Sequence, residues 1–187
     1  MRNKTREMIL VALFAALTAA GAFVKIPIGP EPITLQFFFT ALSGVLLGPY
    51  WGALSQLIYV VLGLIGVPVF TSGGGLLYIF NPGFGYLIGF IFAPFVIGKI
   101  SGGTKAPAFF RTFWGCMLGI LVIYAFGVPY MYMILKYVSH ADITFSKTLV
   151  AGFLVFLPGD TLKSILVAYL GKRIVPVIRK AVIPGGV

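Results

Sequence analysis

Asp160 and Lys163 are the charged pair of this sequence best placed to do chemistry, because they stand in the apolar stretch FLVFLPGDTLKSILVAYLGKR, three residues apart. On a helix that spacing puts both side chains on one face, where a carboxylate and an ammonium neutralise each other. An ionisable group inside an apolar span is costly, and with a named partner it becomes a functional candidate. The pair suits a small ligand with N–H donors at one end and a carboxylate at the other, each charge-assisted bond contributing about 1.5–3 kcal/mol. A structural alternative stands beside this one: Asp160 follows Pro158-Gly159 and can cap the final helix by accepting from its first free amides. The two are compatible, since a helix start that opens into a cavity can cap itself and still present both charges.

A second unusual segment is VPVFTSGGGLLYIFNPGFGY (67–86), which mixes a glycine triplet and two prolines with Phe70, Tyr78, Phe80, Phe84, Tyr86 and the amide of Asn81. Gly/Ser linkers are polar and flexible, and this segment is neither polar nor low in aromatics. Irregular backbone at membrane depth is tolerated only against protein or a cavity. The segment is therefore either a tight turn or the aromatic wall that small-ligand sites usually have.

Other chemistry is poorly supported. The sequence has no GxxxxGK[ST] loop for a nucleotide, no HExxH and no GxSxG, and its one histidine, His140, sits in a polar stretch beside Asp142. No metal ligand set and no resident cofactor are expected. An intramembrane enzyme using Asp160 as acid or base lacks a second acid or nucleophile to help it, so the chain reads as a non-enzyme.

The elements that must hold these residues follow from composition. Of 187 residues, 59% are hydrophobic and 10% charged, and the mean hydropathy is +1.05. Soluble domains carry roughly a quarter charged residues. A bilayer core about 30 Å thick needs about 20 apolar residues per helix, so the chain reads as a single integral membrane domain, 1–187, all-α, with six spans near 8–24, 33–48, 51–69, 84–98, 110–135 and 158–178. The Pro158-Gly159 break sets the start of the last span and leaves 144–157 as a short outer segment. The charged start followed by an apolar stretch resembles a signal peptide, but further apolar runs follow, which favours a retained first helix.

The net charge of +10 does not point to nucleic acid, because the basic residues lie between apolar runs instead of on one soluble face. Positive residues are retained on the cytoplasmic side. With six spans, ten of them (Arg2, Lys4, Arg6, Lys99, Lys105, Arg111, Lys172, Arg173, Arg179 and Lys180) fall on the side of both termini, and three (Lys25, Lys136 and Lys147) fall opposite. Both termini are expected to be cytoplasmic, with 67–86 on the outer face. The C-terminal basic cluster also suits anionic lipid headgroups. Cys116, alone in an apolar run, reads as a small packing residue. In the first span Ala12, Ala16 and Ala20 share one face, with Ala15 and Ala19 beside it. Small residues at spacing four let helices approach closely, either within this protein or against a partner.

Taken together, these pieces resemble the BioY family, the biotin-binding S components of energy-coupling-factor (ECF) transporters. The matching pieces are PITLQ (32–36), LSGVLLGPYWGALSQLIYVVLGLIGVPVF (42–70), GGG and NPGFGYLIGF (73–90), and LPGDTLKSILVAYL (157–170). They run in order and cover most of the chain, and their combination is more specific than any one of them. The resemblance implies a six-helix S-component fold in a prokaryotic cell membrane. It implies capture of biotin from outside, with a coupling transmembrane subunit and two ATPase subunits supplying the energy. It assigns Ala12, Ala16 and Ala20 to the coupling subunit, and the PGDxxK element to Pro158, Gly159, Asp160 and Lys163. Asp160 would then take the ureido N–H groups, with Lys163 assisting. Gln36, Phe70, Asn81 and Tyr86 are further expected binding residues. Phe84, Leu87 and Ile88 depart from the family pattern, which leaves open the group that meets the valerate carboxylate. Another vitamin such as thiamin or riboflavin, or stand-alone biotin transport, remains an alternative on the same scaffold.

Overall fold

A computed structural model of the chain describes residues 4–28, 30–101 and 107–182, and the side chains of 178–182 are not among those described. Arg2 and Lys105, two of the residues in the charge split, lie outside the described residues, as do the side chains of Arg179 and Lys180. Among the described residues seven α-helices follow one another: α1 (Lys4–Phe23), α2 (Gln36–Leu47), α3 (Pro49–Leu64), α4 (Phe84–Ser101), α5 (Phe109–Met133), α6 (Phe145–Leu149) and α7 (Leu157–Val182). π-helical turns extend α5 over Ile134–Val138 and α6 over Val150–Leu154. The helices α4 and α5 share the longest interface, and α2 lies against α1, α3, α4 and α7.

Among the described residues, four helical stretches are long and apolar enough to cross a membrane: Lys4–Phe23, Phe84–Ser101, Phe109–Val138 and Phe145–Val177. The expected span at 33–48 is shorter than its apolar run. Its first residues form β2 (Ile33–Thr34), which pairs antiparallel with β1 (Lys25–Ile26), so the all-α expectation is corrected by one small hairpin. α2 then has 12 residues, about 18 Å at 1.5 Å per residue, against about 30 Å of hydrocarbon. The next expected span, 51–69, is a 16-residue helix over Pro49–Leu64. The two meet at Gly48, whose φ of 85° is open to glycine and strained for other residues. Pro49 then starts α3, where its missing N–H costs nothing.

The interior is unusually polar for so apolar a chain. Thr18, Thr40, Ser43, Ser55 and Gln56 are fully buried, and each finds a partner. Gln56 Nε2 donates to Thr18 Oγ1 and Ser55 Oγ, both at 3.1 Å, and Gln56 Oε1 accepts from Thr40 Oγ1 at 3.1 Å. These bonds stitch α1, α2 and α3 together. Large apolar side chains such as Leu13, Trp114, Leu121, Leu162 and Ile165 instead face outward. An apolar exterior around a hydrogen-bonded interior is what lipid surroundings favour. On α1, Phe14, Ala15 and Thr18 are buried while Ala12, Ala16 and Ala20 form the exposed stripe.

Candidate functional site

The site begins with α7. Pro158 sits in its first turn, Asp160 N donates to Phe156 O at 3.0 Å, and the positive end of the helix lies beneath the Asp160 carboxylate. The carboxylate does not cap amides, as the structural alternative had it. It takes side-chain donors: Tyr124 of α5 gives its hydroxyl to Oδ2 at 2.6 Å, and Lys163 gives Nζ to Oδ1 at 2.8 Å. Asp160 is 7% and Lys163 8% exposed. A buried ion pair contributes little unless further hydrogen bonds compensate for lost water, and here both partners have them. Lys163 Nζ also donates to the carbonyl of Thr34 at 2.6 Å. An ammonium has three donors and a carboxylate about four acceptor sites, so this cluster holds its geometry and keeps capacity for a ligand.

Thr34 and Gln36 continue the polar rim. Thr34 Oγ1 donates to Gln36 Oε1 at 3.0 Å, Gln36 Nε2 to Tyr59 OH at 2.7 Å, and Tyr59 OH to Val69 O at 3.1 Å. The short hairpin before α2 is thereby joined to α3 and to the loop that follows it. Gln36 uses one of its two amide N–H donors and its oxygen in these bonds, and it borders the cavity with a donor to spare.

These residues line a cavity of about 590 Å³, a volume that includes its opening to solvent. Small-ligand sites combine apolar walls with a few placed polar groups. The walls here are Phe37, Leu87, Phe90, Ile123 and Phe156, with Tyr78 and Tyr86 adding aromatic faces. The polar groups fall into Asp160, Lys163, Tyr124, Thr34 and Gln36 on one hand, and Glu31, Thr71, Tyr78 and Gly83 on the other. Thr71 Oγ1 and Tyr78 OH share a hydrogen bond of 2.8 Å, and Tyr86 OH donates to Gly152 O at 2.8 Å. Burial pushes the Tyr78 phenol up to about 12, the bond to Thr71 opposing this and the nearby Glu31 adding to it.

The structure brings together Asp160, Lys163, Tyr86 and Gln36 and leaves two expected residues off the cavity wall. Phe70, 1% exposed, fills the core edge-on to Tyr59 at 5.5 Å and tilted against Tyr78 at 4.5 Å. Asn81 folds onto its own turn, its Oδ1 accepting from Gly83 N at 2.8 Å. Both support the aromatic loop from behind, holding Tyr78 and Gly83 at the cavity. In the 67–86 segment the 3-10 turn Leu76–Phe80 thus turns Tyr78 inward to the cavity and leaves Leu76, Leu77 and Phe80 exposed. Sequence reasoning missed Tyr124, Glu31 and Thr34. Glu31, one of only four acids, carried the one signal that could have been read.

Among known proteins, the BioY family model matches residues 1–180. A relative described as a probable biotin transporter BioY, from Lysinibacillus sphaericus, is 41% identical over 180 residues, covering 96% of this chain and 92% of its own. The biotin transporter BioY of Thermotoga maritima is 38% identical over 170 residues, with 90% and 95% covered. A solved structure described as the S-component for biotin from an ECF-type ABC transporter superposes with a TM-score of 0.69 at 31% identity, covering 91% of each chain. The matched length takes in every element that builds the cavity, from the α1–α2 hairpin to α7, and the chain belongs to the BioY family.

Proposed function

We propose that this chain is the substrate-capturing membrane subunit of a biotin uptake system, an S component that binds the vitamin from outside for ATP-driven import. The observation that carries this is the Asp160–Lys163–Tyr124 cluster at an apolar cavity. The ureido group of biotin is a rigid pair of N–H donors around a carbonyl. Asp160 accepts from one of those N–H groups, and the remaining ammonium N–H of Lys163 donates to the carbonyl oxygen. The thiophane ring and the methylene tail lie against Phe37, Leu87, Phe90 and Phe156.

In the same reading the chain is one integral membrane domain over 1–187 in a prokaryotic cell membrane. It crosses six times, with α1 to α5 and α7 as the spans and both termini cytoplasmic, as the split of basic residues supports. The exposed stripe of Ala12, Ala16 and Ala20 meets the coupling transmembrane subunit, and two ATPase subunits supply the energy. The chain itself performs no covalent step and carries no resident cofactor.

Titration calorimetry of the purified protein with biotin, with thiamin and riboflavin as competitors, tests the reading. Saturable binding of biotin that neither competitor displaces is expected, and absence of measurable biotin affinity overturns it. Biotin uptake by cells lacking every coupling subunit would replace the multi-subunit scheme with stand-alone transport.

A further inference from the structure

The cavity holds a charge that biotin capture by Asp160 does not use. Glu31 lies in the connection between β1 and β2, lines the cavity and is half-buried. Its carboxylate rests against Gly83, where a Cβ on that residue would collide with it. Glycine at 83 is therefore what lets the acid lie inward. Burial pushes the Glu31 carboxyl up to about 7 from an ordinary 4.5, and the Gly83 amide opposes this only in part.

The charged and titratable groups around Glu31 can be counted. From α4 there is Tyr86, from the 3-10 turn Tyr78, from α5 Tyr124, and from α7 Asp160 and Lys163. From β1, Lys25 gives Nζ to Thr71 O at 2.7 Å. The cavity lining thus contains two carboxylates and one ammonium, and that ammonium is paired with Asp160. With Glu31 ionised the lining carries one net negative charge, and with Glu31 protonated it carries none. A ligand ending in a carboxylate adds another negative charge in the same low-dielectric space, where like charges disfavour each other's ionised form.

Resting on the biotin reading above, we propose that Glu31 is a specificity-determining residue that reads the charge on the ligand's tail. As the neutral acid it donates its proton to a tail carboxylate in an O–H···O hydrogen bond. As the carboxylate it repels such a tail and accepts from one that ends in an amide N–H. Capture of the free acid is then coupled to uptake of one proton from solution, and capture of the corresponding amide is not.

The test is calorimetry of the purified protein with biotin and with biotinamide between about pH 5.5 and 8.5, in buffers of differing ionisation enthalpy. For the wild type, the biotin Kd is expected to rise about tenfold per pH unit above about 7 with close to one proton taken up, and the biotinamide Kd to change less than about twofold. In Glu31→Gln, which keeps the shape of the side chain, the biotin profile is expected to be flat. Biotin binding without proton uptake, or the same pH profile in wild type and Glu31→Gln, overturns the role of Glu31 and leaves the biotin reading intact. Failure of both ligands to bind the wild type at every pH overturns both.

Discussion

The Tyr124 hydroxyl meets Asp160 Oδ2 at 2.6 Å, across the interface between α5 and α7. The bond fixes a carboxylate that would otherwise have only Lys163 of its own helix to orient it. Asp160→Asn removes the charge that holds both partners, and biotin binding is expected to weaken by at least about tenfold, or about 1.4 kcal/mol. Tyr124→Phe deletes one donor to a charged acceptor, and a loss of about tenfold is expected. Calorimetry on both variants checks this, and wild-type affinity in either would remove the cluster from the binding site.

Among the described residues, Lys163 is the only ammonium in the cavity lining. Lys163→Met keeps the stem and leaves Asp160 buried beside Tyr124 alone. Breaking a buried pair from one side costs about 3–5 kcal/mol, so the variant is expected to lose both biotin affinity and thermal stability. The double variant Asp160→Asn/Lys163→Met, which leaves no unpaired charge, is expected to regain much of the stability but none of the affinity. Melting temperatures in detergent beside binding isotherms separate the two effects.

Much of this site could be read from the sequence, and the reasons for the rest are specific. Asp160 and Lys163 were legible because they break an apolar run and their pairing is local to one helix. Tyr124 was not, because it is one aromatic among many in the run that forms α5, and its role is set by packing against a residue 36 positions later. Phe70 was read as a wall and fills the core, since sequence reports that a ring is present and not which side of a loop it enters. Asn81 before Pro-Gly is turn chemistry, and its side chain is spent on Gly83. The end of α2 was legible, since the expected span stops at Gly48 before Pro49; its start was not, because Ile33 and Thr34 continue the apolar run yet pair as β2.

Gln56 is the hub of the bonds among α1, α2 and α3. Gln56→Leu leaves Thr18 and Thr40 without this partner in a buried setting. Interhelical hydrogen bonds in membrane proteins average about 0.6 kcal/mol and reach about 1.7, so a loss of roughly 1 kcal/mol is expected, read as a lower melting temperature. Biotin affinity at low temperature should be nearly unchanged. An unaltered melting temperature would show that the network is not holding these helices.

Glu31 also links stability to pH. Its folded pKa of about 7 lies above the ordinary 4.5, so the folded state binds the proton more tightly than the unfolded one. The stabilisation is fully present below about pH 4.5 and is lost as pH rises to about 7. Ligand-free wild type is therefore expected to melt at progressively lower temperature across that window relative to Glu31→Gln. Parallel melting curves for the two proteins across the window would place the acid in water.

The exposed alanine stripe of α1 offers a separate test. Ala16→Trp adds a large ring to a surface that is exposed among the described residues. Biotin affinity is expected to stay within about twofold, while co-purification with a coupling subunit and uptake in cells are lost. Normal uptake would show that the coupling contact lies elsewhere.

The bond from Lys163 to the carbonyl of Thr34 joins positions 129 apart, and this has a consequence for biosynthesis. The hairpin before α2 is synthesised early, yet the ammonium that fastens it and the carboxylate beside it arrive only with α7. Contacts so distant along the chain form late, because loop closure must precede them. A nascent chain stalled before α7 therefore has the cavity's aromatic walls and neither charge of its pair. The pocket is completed last, and a half-made protein holds no vitamin.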